Sequence, residues 1–254
     1  MIAPSPLTRS GPNPWTHPRR KGYPKLAAFA SEFGTKFGGL GGGKAKHGYS
    51  TGVLDSPASS ISPRQRAAAL GFAGATVWIT ALPAAGKTTL AAALEHELLD
   101  RRRPAYRIDG DQVRRELCRD LGFDHESRTE NVRRVAHVAR MLADAGLVTI
   151  VALISPYAED REQARQIHAD AGLAFLEIFI DTPLELCERR DPKGLYARAR
   201  RGELKGFTGV DGAYERPAHP DLRLEPEPVQ RWIRRVCDLL MADRALTAPP
   251  TRAH

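Results

Sequence analysis

The segment Ala81-Leu82-Pro83-Ala84-Ala85-Gly86-Lys87-Thr88-Thr89 follows the apolar run Thr76-Val77-Trp78-Ile79-Thr80 and precedes Leu90-Ala91-Ala92-Ala93-Leu94. Its residue types suit phosphate chemistry. A loop that cradles phosphate needs a strand to deliver it, backbone N–H groups turned toward oxygens, a lysine for the outer phosphates, a hydroxyl for Mg²⁺, and a helix N-terminus behind. Gly86, Lys87 and Thr88 supply the second half of that pattern. The first position holds Ala81 where the motif has glycine, and a Cβ there is expected to restrict the backbone and crowd a phosphate. The alternative is an ordinary strand-to-helix turn whose Gly-Lys-Thr caps a helix. A strand before and an Ala/Leu-rich helix after favour the cradle. Pro83 suits a φ near roughly −65°. Ala84 costs little unless its backbone is left-handed, when the cost is roughly 1 kcal/mol or more.

Asp109-Gly110-Asp111 places two carboxylates at the end of the next apolar run. One can take a proton from a hydroxyl acceptor, and the other can hold Mg²⁺ through water. Equally, Asp111 can be a helix cap. Beyond them come Arg114, Phe123, Arg128, Asn131, Arg133 and Arg134. Guanidinium groups grip phosphate or sulfate oxygens in pairs, and an aromatic ring stacks on a base. Arg133 or Arg134 singly serve as well for surface pairing with Glu116, Glu126, Glu130 or Asp144, but the set implies an anionic second substrate.

The elements that must position these groups read as alternating βα units around a parallel sheet. Strands are expected at 76–80, 105–108, 147–154, 173–180 and 222–224, and helices at 87–102, 112–119, 128–145, 159–171, 184–188 and 229–241. In the 128–145 segment Val132, Val135, Val138, Ala139 and Leu142 recur at the three- and four-residue spacing of a helix packed on a sheet. The 147–154 run is almost wholly apolar, as a central strand covered on both faces requires. Residues 189–215 are rich in Arg, Lys and Gly with little periodicity, which suits a lid. Ligands of open parallel sheets bind beyond the carboxyl ends of the strands. Those ends carry the Ala81 loop, Asp109-Gly110-Asp111, Ser155-Pro156 and Asp181-Thr182, so all four are expected to face one crevice.

Residues 1–63 hold 10 of the 22 glycines and 8 of the 19 prolines, too few periodic aliphatic residues to bury much surface, and eight Lys or Arg against Glu32 and Asp55. They are expected to form a disordered basic arm, followed by one folded domain over 64–244 and a frayed tail at 245–254. The arm carries most of the formal charge of +8. With no nucleic-acid motif beside it, a solubilising role is preferred to nucleic-acid binding. Cys118, Cys187 and Cys237 are widely spaced and odd in number, which points to a reducing compartment. They are expected to be buried or half-buried helix residues. No apolar run has membrane-spanning or signal-peptide length, so the expected place is the cytoplasm, away from membranes.

From Arg64 to Leu224 the chain resembles the adenylylsulfate kinase family, which phosphorylates adenosine 5′-phosphosulfate (APS). The resemblance rests on Asp-Gly-Asp-x-Val-Arg at 109–114, Asp-Leu-Gly-Phe at 120–123, Arg-x-Glu-Asn-Val-Arg-Arg at 128–134 and Ile-Ser-Pro-Tyr at 154–157. It continues through Cys-Glu-Arg-Arg-Asp-Pro-Lys-Gly-Leu-Tyr at 187–196 and Lys-Gly-Phe-Thr-Gly-Val-Asp at 205–211. It implies an α/β fold, a P-loop kinase-type parallel sheet flanked by helices with a basic lid. It also implies transfer of the ATP γ-phosphate to the 3′-hydroxyl of APS, giving 3′-phosphoadenosine 5′-phosphosulfate (PAPS) and ADP in sulfate assimilation.

By the resemblance, residues 81–89 hold ATP, with Lys87 on the transferring group and Thr88 on Mg²⁺; from its own chemistry Asp109 is the carboxylate expected to hold that Mg²⁺ through water. Asp109, Asp111, Arg114, Phe123, Arg128, Asn131, Ile154, Ser155, Lys193, Gly206 and Phe207 match positions that bind APS or cover the site, with Phe123 and Phe207 on either side of the adenine. Asp111 orients or deprotonates the acceptor. Ser155 matches a serine described as a phosphorylated intermediate in bacterial members, although in-line transfer needs positioning and charge neutralisation more than a covalent step. Ser155 is therefore expected to position. The resemblance also suggests a homodimer and coupling to ATP sulfurylase. The alternative reading is a non-catalytic APS- or PAPS-binding regulatory module, which would not need to keep Gly86, Lys87, Thr88, Asp109 and Asp111.

Overall fold

A computed structural model of the chain describes residues 61–242. Residues 1–60 of the expected arm and the expected tail lie outside the described residues. The first element was not anticipated: helix α1, Pro63–Leu70, begins inside the stretch assigned to the arm. Its signal is local. Ser62 accepts from the Gln65 N–H while the Gln65 side chain accepts from Ser62, Pro63 occupies the first turn, and left-handed Gly71 closes the helix. Arg66 pairs with Asp144 at 2.6 Å, attaching α1 to the main body.

Strands β1 (Ala75–Thr80), β2 (Ala105–Asp109), β3 (Val148–Ala152), β4 (Ala174–Ile180) and β5 (Leu222–Leu224) form one sheet in the order β2-β3-β1-β4-β5. Every pairing is parallel, with Val77 of β1 opposite Ile150 and Leu176. Parallel neighbours require crossover connections, which place helices on the faces. Helices α2 (Lys87–Asp100) and α8 (Val229–Ala242) cover one face through Leu90, Leu94, Trp232, Val236 and Leu240. Helices α4 (His125–Asp144) and α5 (Ala158–Asp170) cover the other through Val132, Val135, Ala139 and Ala164, packed with Trp78, Val151 and Phe175. All six residues of β1 are buried, as a strand covered on both faces demands.

The chain leaving β1 enters a helix on one face and the chain leaving β3 enters a helix on the other, so a crevice opens between their carboxyl ends. Three boundaries differ from expectation near it. Helix α3 spans Gly110–Arg115, and residues 116–120 are turns. Cys118 is therefore buried in a turn rather than on a helix, while Cys187 and Cys237 are buried in helices and all three are free thiols. Strand β3 stops at Ala152, before left-handed Ser155 at φ 39°. The 189–215 segment contains the end of α6 (Leu184–Arg190) and a short helix, α7 (Leu195–Arg200), entered through left-handed Gly194. Among the described residues no helix is long and apolar enough to cross a membrane.

Candidate active site

The loop after β1 resolves the question of its missing glycine. Ala81 is fully buried within the apolar core and is absent from the residues with positive φ. Its Cβ packs into the protein interior and does not line the cavity, so the expected crowding does not arise. The strain falls instead on Ala84, at φ 58°, where the left-handed backbone costs about 1–2 kcal/mol for a residue with a Cβ. Gly86 is needed for two reasons: its φ is 113°, and a Cβ would approach the Trp232 ring to 3.0 Å.

Four carbonyls of this loop are occupied by side chains. The Lys87 amine donates to Ala81 and Leu82 at 3.0 and 2.7 Å. Tyr196 donates to Pro83 at 3.1 Å, and Thr182 and Arg190 donate to Ala85 at 3.1 and 3.3 Å. Desolvation pulls the Lys87 ammonium from 10.5 down to about 8, against the opposing pull of Cys187, Asp111 and Asp109.

Thr88 donates through its hydroxyl to Asp109 at 3.1 Å. This hard-oxygen pair at a helix start beside a phosphate loop fits Mg²⁺, which is bound through few protein oxygens plus those of phosphates. Among the described residues no group of three or more His, Cys, Asp or Glu could hold a metal ion. Asp109 also caps α3 by accepting the Asp111 N–H at 3.0 Å. The cap considered for Asp111 therefore belongs to Asp109. Asp111 lies in the first turn of α3 and forms an ion pair with Lys193.

On the opposite wall Arg114 lies over the Phe123 ring at 4.9 Å and donates to the Gly122 carbonyl at 2.5 Å. Arg128 donates to the carbonyls of Phe123 and Gly206 at 2.7 and 2.9 Å and to the Thr208 hydroxyl at 3.0 Å. It thereby ties the start of α4 to the basic segment. Asp211 accepts the N–H groups of Gly206 and Phe207 at 2.7 and 2.8 Å, fixing that turn. Asn131 is buried, lines the cavity, and has an amide oxygen without a partner. Such an orphan is costly unless a ligand donates to it.

Ser155 is buried, and its hydroxyl accepts from the Trp78 indole at 3.1 Å. Its carbonyl accepts from Arg161 at 2.7 Å. The neighbouring Ile154 carbonyl accepts from Thr80 at 2.6 Å.

These groups surround one cavity of about 560 Å³. Pro83, Ala84, Gly86, Lys87, Thr88, Thr89, Asp109, Asp111, Arg114, Phe123, Arg128, Asn131, Ile154, Ser155, Lys193 and Phe207 line it. Ala81, Leu82, Ala85 and Gly206 are not among the residues that line it. Arg133 and Arg134 are elsewhere: Arg133 pairs with Glu130, and Arg134 with Asp120 and Glu130. Sequence reasoning assigned no role to Asp191, Pro192, Leu195, Tyr196 or Thr208, which also line the cavity. Their motif lay in view, but their contacts are long-range.

A parallel sheet with this loop after its central strand, and with a carboxylate pair after β2, defines a P-loop kinase fold. The chain belongs to the adenylylsulphate kinase family, whose model matches residues 73–225. It is 45% identical over 192 residues to the adenylyl-sulfate kinase of Penicillium chrysogenum, covering 72% of this chain and 91% of that protein. It is 52% identical over 168 residues to the bifunctional enzyme CysN/CysC of Mycobacterium tuberculosis H37Rv, covering 66% of this chain and 27% of that protein. The chain thus spans about a quarter of that relative's length. Among solved structures, the M. tuberculosis APS kinase CysC in complex with AMPPNP and APS superposes with a TM-score of 0.66 at 52% identity. That match covers 66% of this chain and 98% of the other.

Proposed function

We propose that this protein transfers the γ-phosphate of ATP to the 3′-hydroxyl of APS, releasing PAPS and ADP. The observation that carries the reading is the shared cavity. It joins the Lys87 and Thr88 loop to a wall bearing Phe123, Arg128, the unpartnered Asn131 oxygen and Phe207. One side suits a triphosphate, and the other a base with a bulky anion.

In this mechanism the loop N–H groups and Lys87 bind the phosphates, and Lys87 leaves its carbonyl partners to meet charge on the transferring group. Thr88 and Asp109 would hold Mg²⁺, which supplies charge neutralisation on the phosphate oxygens when bound. Arg114, Arg128 and Asn131 orient APS, with Phe123 and Phe207 against its adenine. Asp111 takes the 3′-hydroxyl proton as the new O–P bond forms and the bond from the γ-phosphorus to the β-bridging oxygen breaks, leaving ADP. Ile154, Ser155, Lys193 and Gly206 shape and cover the pocket, and Ser155 positions without becoming phosphorylated.

We further infer a cytoplasmic homodimer whose folded domain spans 64–244, following an arm at 1–63. Functional coupling to an ATP sulfurylase follows from the chemistry of the substrate, since that enzyme class forms APS. The test is incubation with ATP, Mg²⁺ and APS, with adenosine 5′-monophosphate as control acceptor. APS-specific formation of ADP and PAPS is expected. Equal ADP release with both acceptors, or none with APS, overturns the reading. Light scattering on a sizing column checks the dimer.

A further inference from the structure

Tyr196 touches both halves of the cavity at once. Its ring meets the Phe207 ring edge-on, with centroids 5.1 Å apart and planes at 85°. Its hydroxyl donates to the Pro83 carbonyl at 3.1 Å, one residue before left-handed Ala84. Tyr196 is 2% exposed. A Cβ on the nearby Gly209 would already lie 3.6 Å from the Tyr196 oxygen and 3.2 Å from Leu82. Burial, reinforced by Cys187 and Glu188, pushes the phenol's pKa up, which keeps the hydroxyl protonated and donating.

A buried phenol loses its polar contact unless the hydroxyl finds a partner, and an edge-on aromatic pair prefers a narrow range of geometries. Phe207 is held at its N–H by Asp211, and its neighbour Gly206 is held by Arg128. A base stacked on Phe207 therefore fixes the ring pair. A fixed ring pair holds the hydroxyl on Pro83, at the strained part of the phosphate loop.

We propose that Tyr196 is a positioning residue that couples the two subsites, so that occupation of the Phe207 side tightens binding of the nucleotide in the loop. This rests on the two-substrate reading above. By linkage the coupling is reciprocal: nucleotide in the loop tightens the acceptor by the same factor.

The test is calorimetric titration of a non-hydrolysable ATP analogue with Mg²⁺, with and without saturating APS, in the parent protein and in Tyr196→Phe. That variant keeps the ring on Phe207 and removes only the hydroxyl. In the parent, APS should tighten analogue binding about fivefold or more, the effect of roughly one neutral hydrogen bond. In Tyr196→Phe the ratio should fall toward one, with cooperative thermal unfolding retained. Phe207→Leu should lose the ratio as well, and combining the two substitutions should remove nothing further. A parent ratio of one, or an undiminished ratio in Tyr196→Phe, overturns the proposal. Because the ratio is a binding quantity, it decides the role of Tyr196 whether or not turnover is seen. Absence of APS-dependent ADP release overturns only the activity.

Discussion

The Trp78 indole N–H donates to the Ser155 hydroxyl across 3.1 Å, joining the middle of β1 to the left-handed turn after β3. A serine engaged this way serves as an anchored element of the pocket wall. Ser155→Ala leaves a buried N–H unpaired, a loss of about 1–3 kcal/mol. Turnover should fall far less than in Lys87→Ala, and rapid-quench labelling with γ-labelled ATP should reveal no phosphorylated Ser155 on the catalytic timescale. A phosphoserine formed and consumed as fast as PAPS appears would sink this assignment.

Lys87 should impose a pH limb. In the proposed mechanism its ammonium meets the transferring group, and burial lowers its pKa to about 8. The kcat/KM for ATP, which reports free-enzyme ionisations, should decline above about pH 8. Lys87→Arg should lack that limb, and Lys87→Ala should lose orders of magnitude in turnover at any pH. The stability effect has the opposite sense. Between about pH 8 and 10.5 the unfolded chain retains the proton that the folded chain has released, so this residue's contribution makes stability rise with pH there. Denaturant titrations at pH 8 and pH 10, comparing the parent with Lys87→Met, isolate that contribution.

The two alanines of the phosphate loop should respond oppositely to glycine. At Ala84 the left-handed strain of about 1–2 kcal/mol disappears, offsetting the flexibility gained by the unfolded chain. At Ala81 the backbone gains nothing, and a methyl group leaves the core. Ala84→Gly should exceed Ala81→Gly in stability by about 2–3 kcal/mol, the strain relieved plus the methyl burial lost. Equal midpoints in urea would contradict this.

Arg161 and Glu177 form a buried pair at 2.7 Å, with side chains 3% and 11% exposed. Arg161 also donates to the carbonyls of Ser155 and Glu215 at 2.7 and 2.8 Å. Arg161→Met should cost about 3 kcal/mol by leaving the buried Glu177 carboxylate with the more distant Arg165, at 3.7 Å. Adding Glu177→Leu should make the double variant more stable than the sum of the single losses by at least about 1 kcal/mol. Additive losses in chemical denaturation would show that the pair is not coupled.

Much of this protein was determined locally. The βα order, the Gly86-Lys87-Thr88 loop and the Asp109 and Asp111 pair were legible because periodicity and motif spacing belong to short segments. The family motifs extended that reading to Phe207. Even the overlooked helix α1 carried a local signal, the box formed by Ser62 and Gln65.

Tertiary structure decided where each Cβ and carbonyl points. Ala81 packs in the core without a left-handed backbone, and Ala84 takes the strain, a distinction of backbone angle that neighbouring alanines do not announce. Arg134 is withdrawn from the site by Asp120, and Asp109 rather than Asp111 caps α3. Tyr196 reaches Pro83 across 113 residues of chain. Periodicity describes which face of an element is buried. The partner that a buried polar group finds there depends on how separate elements pack, and only the assembled sheet and its helices bring those elements together.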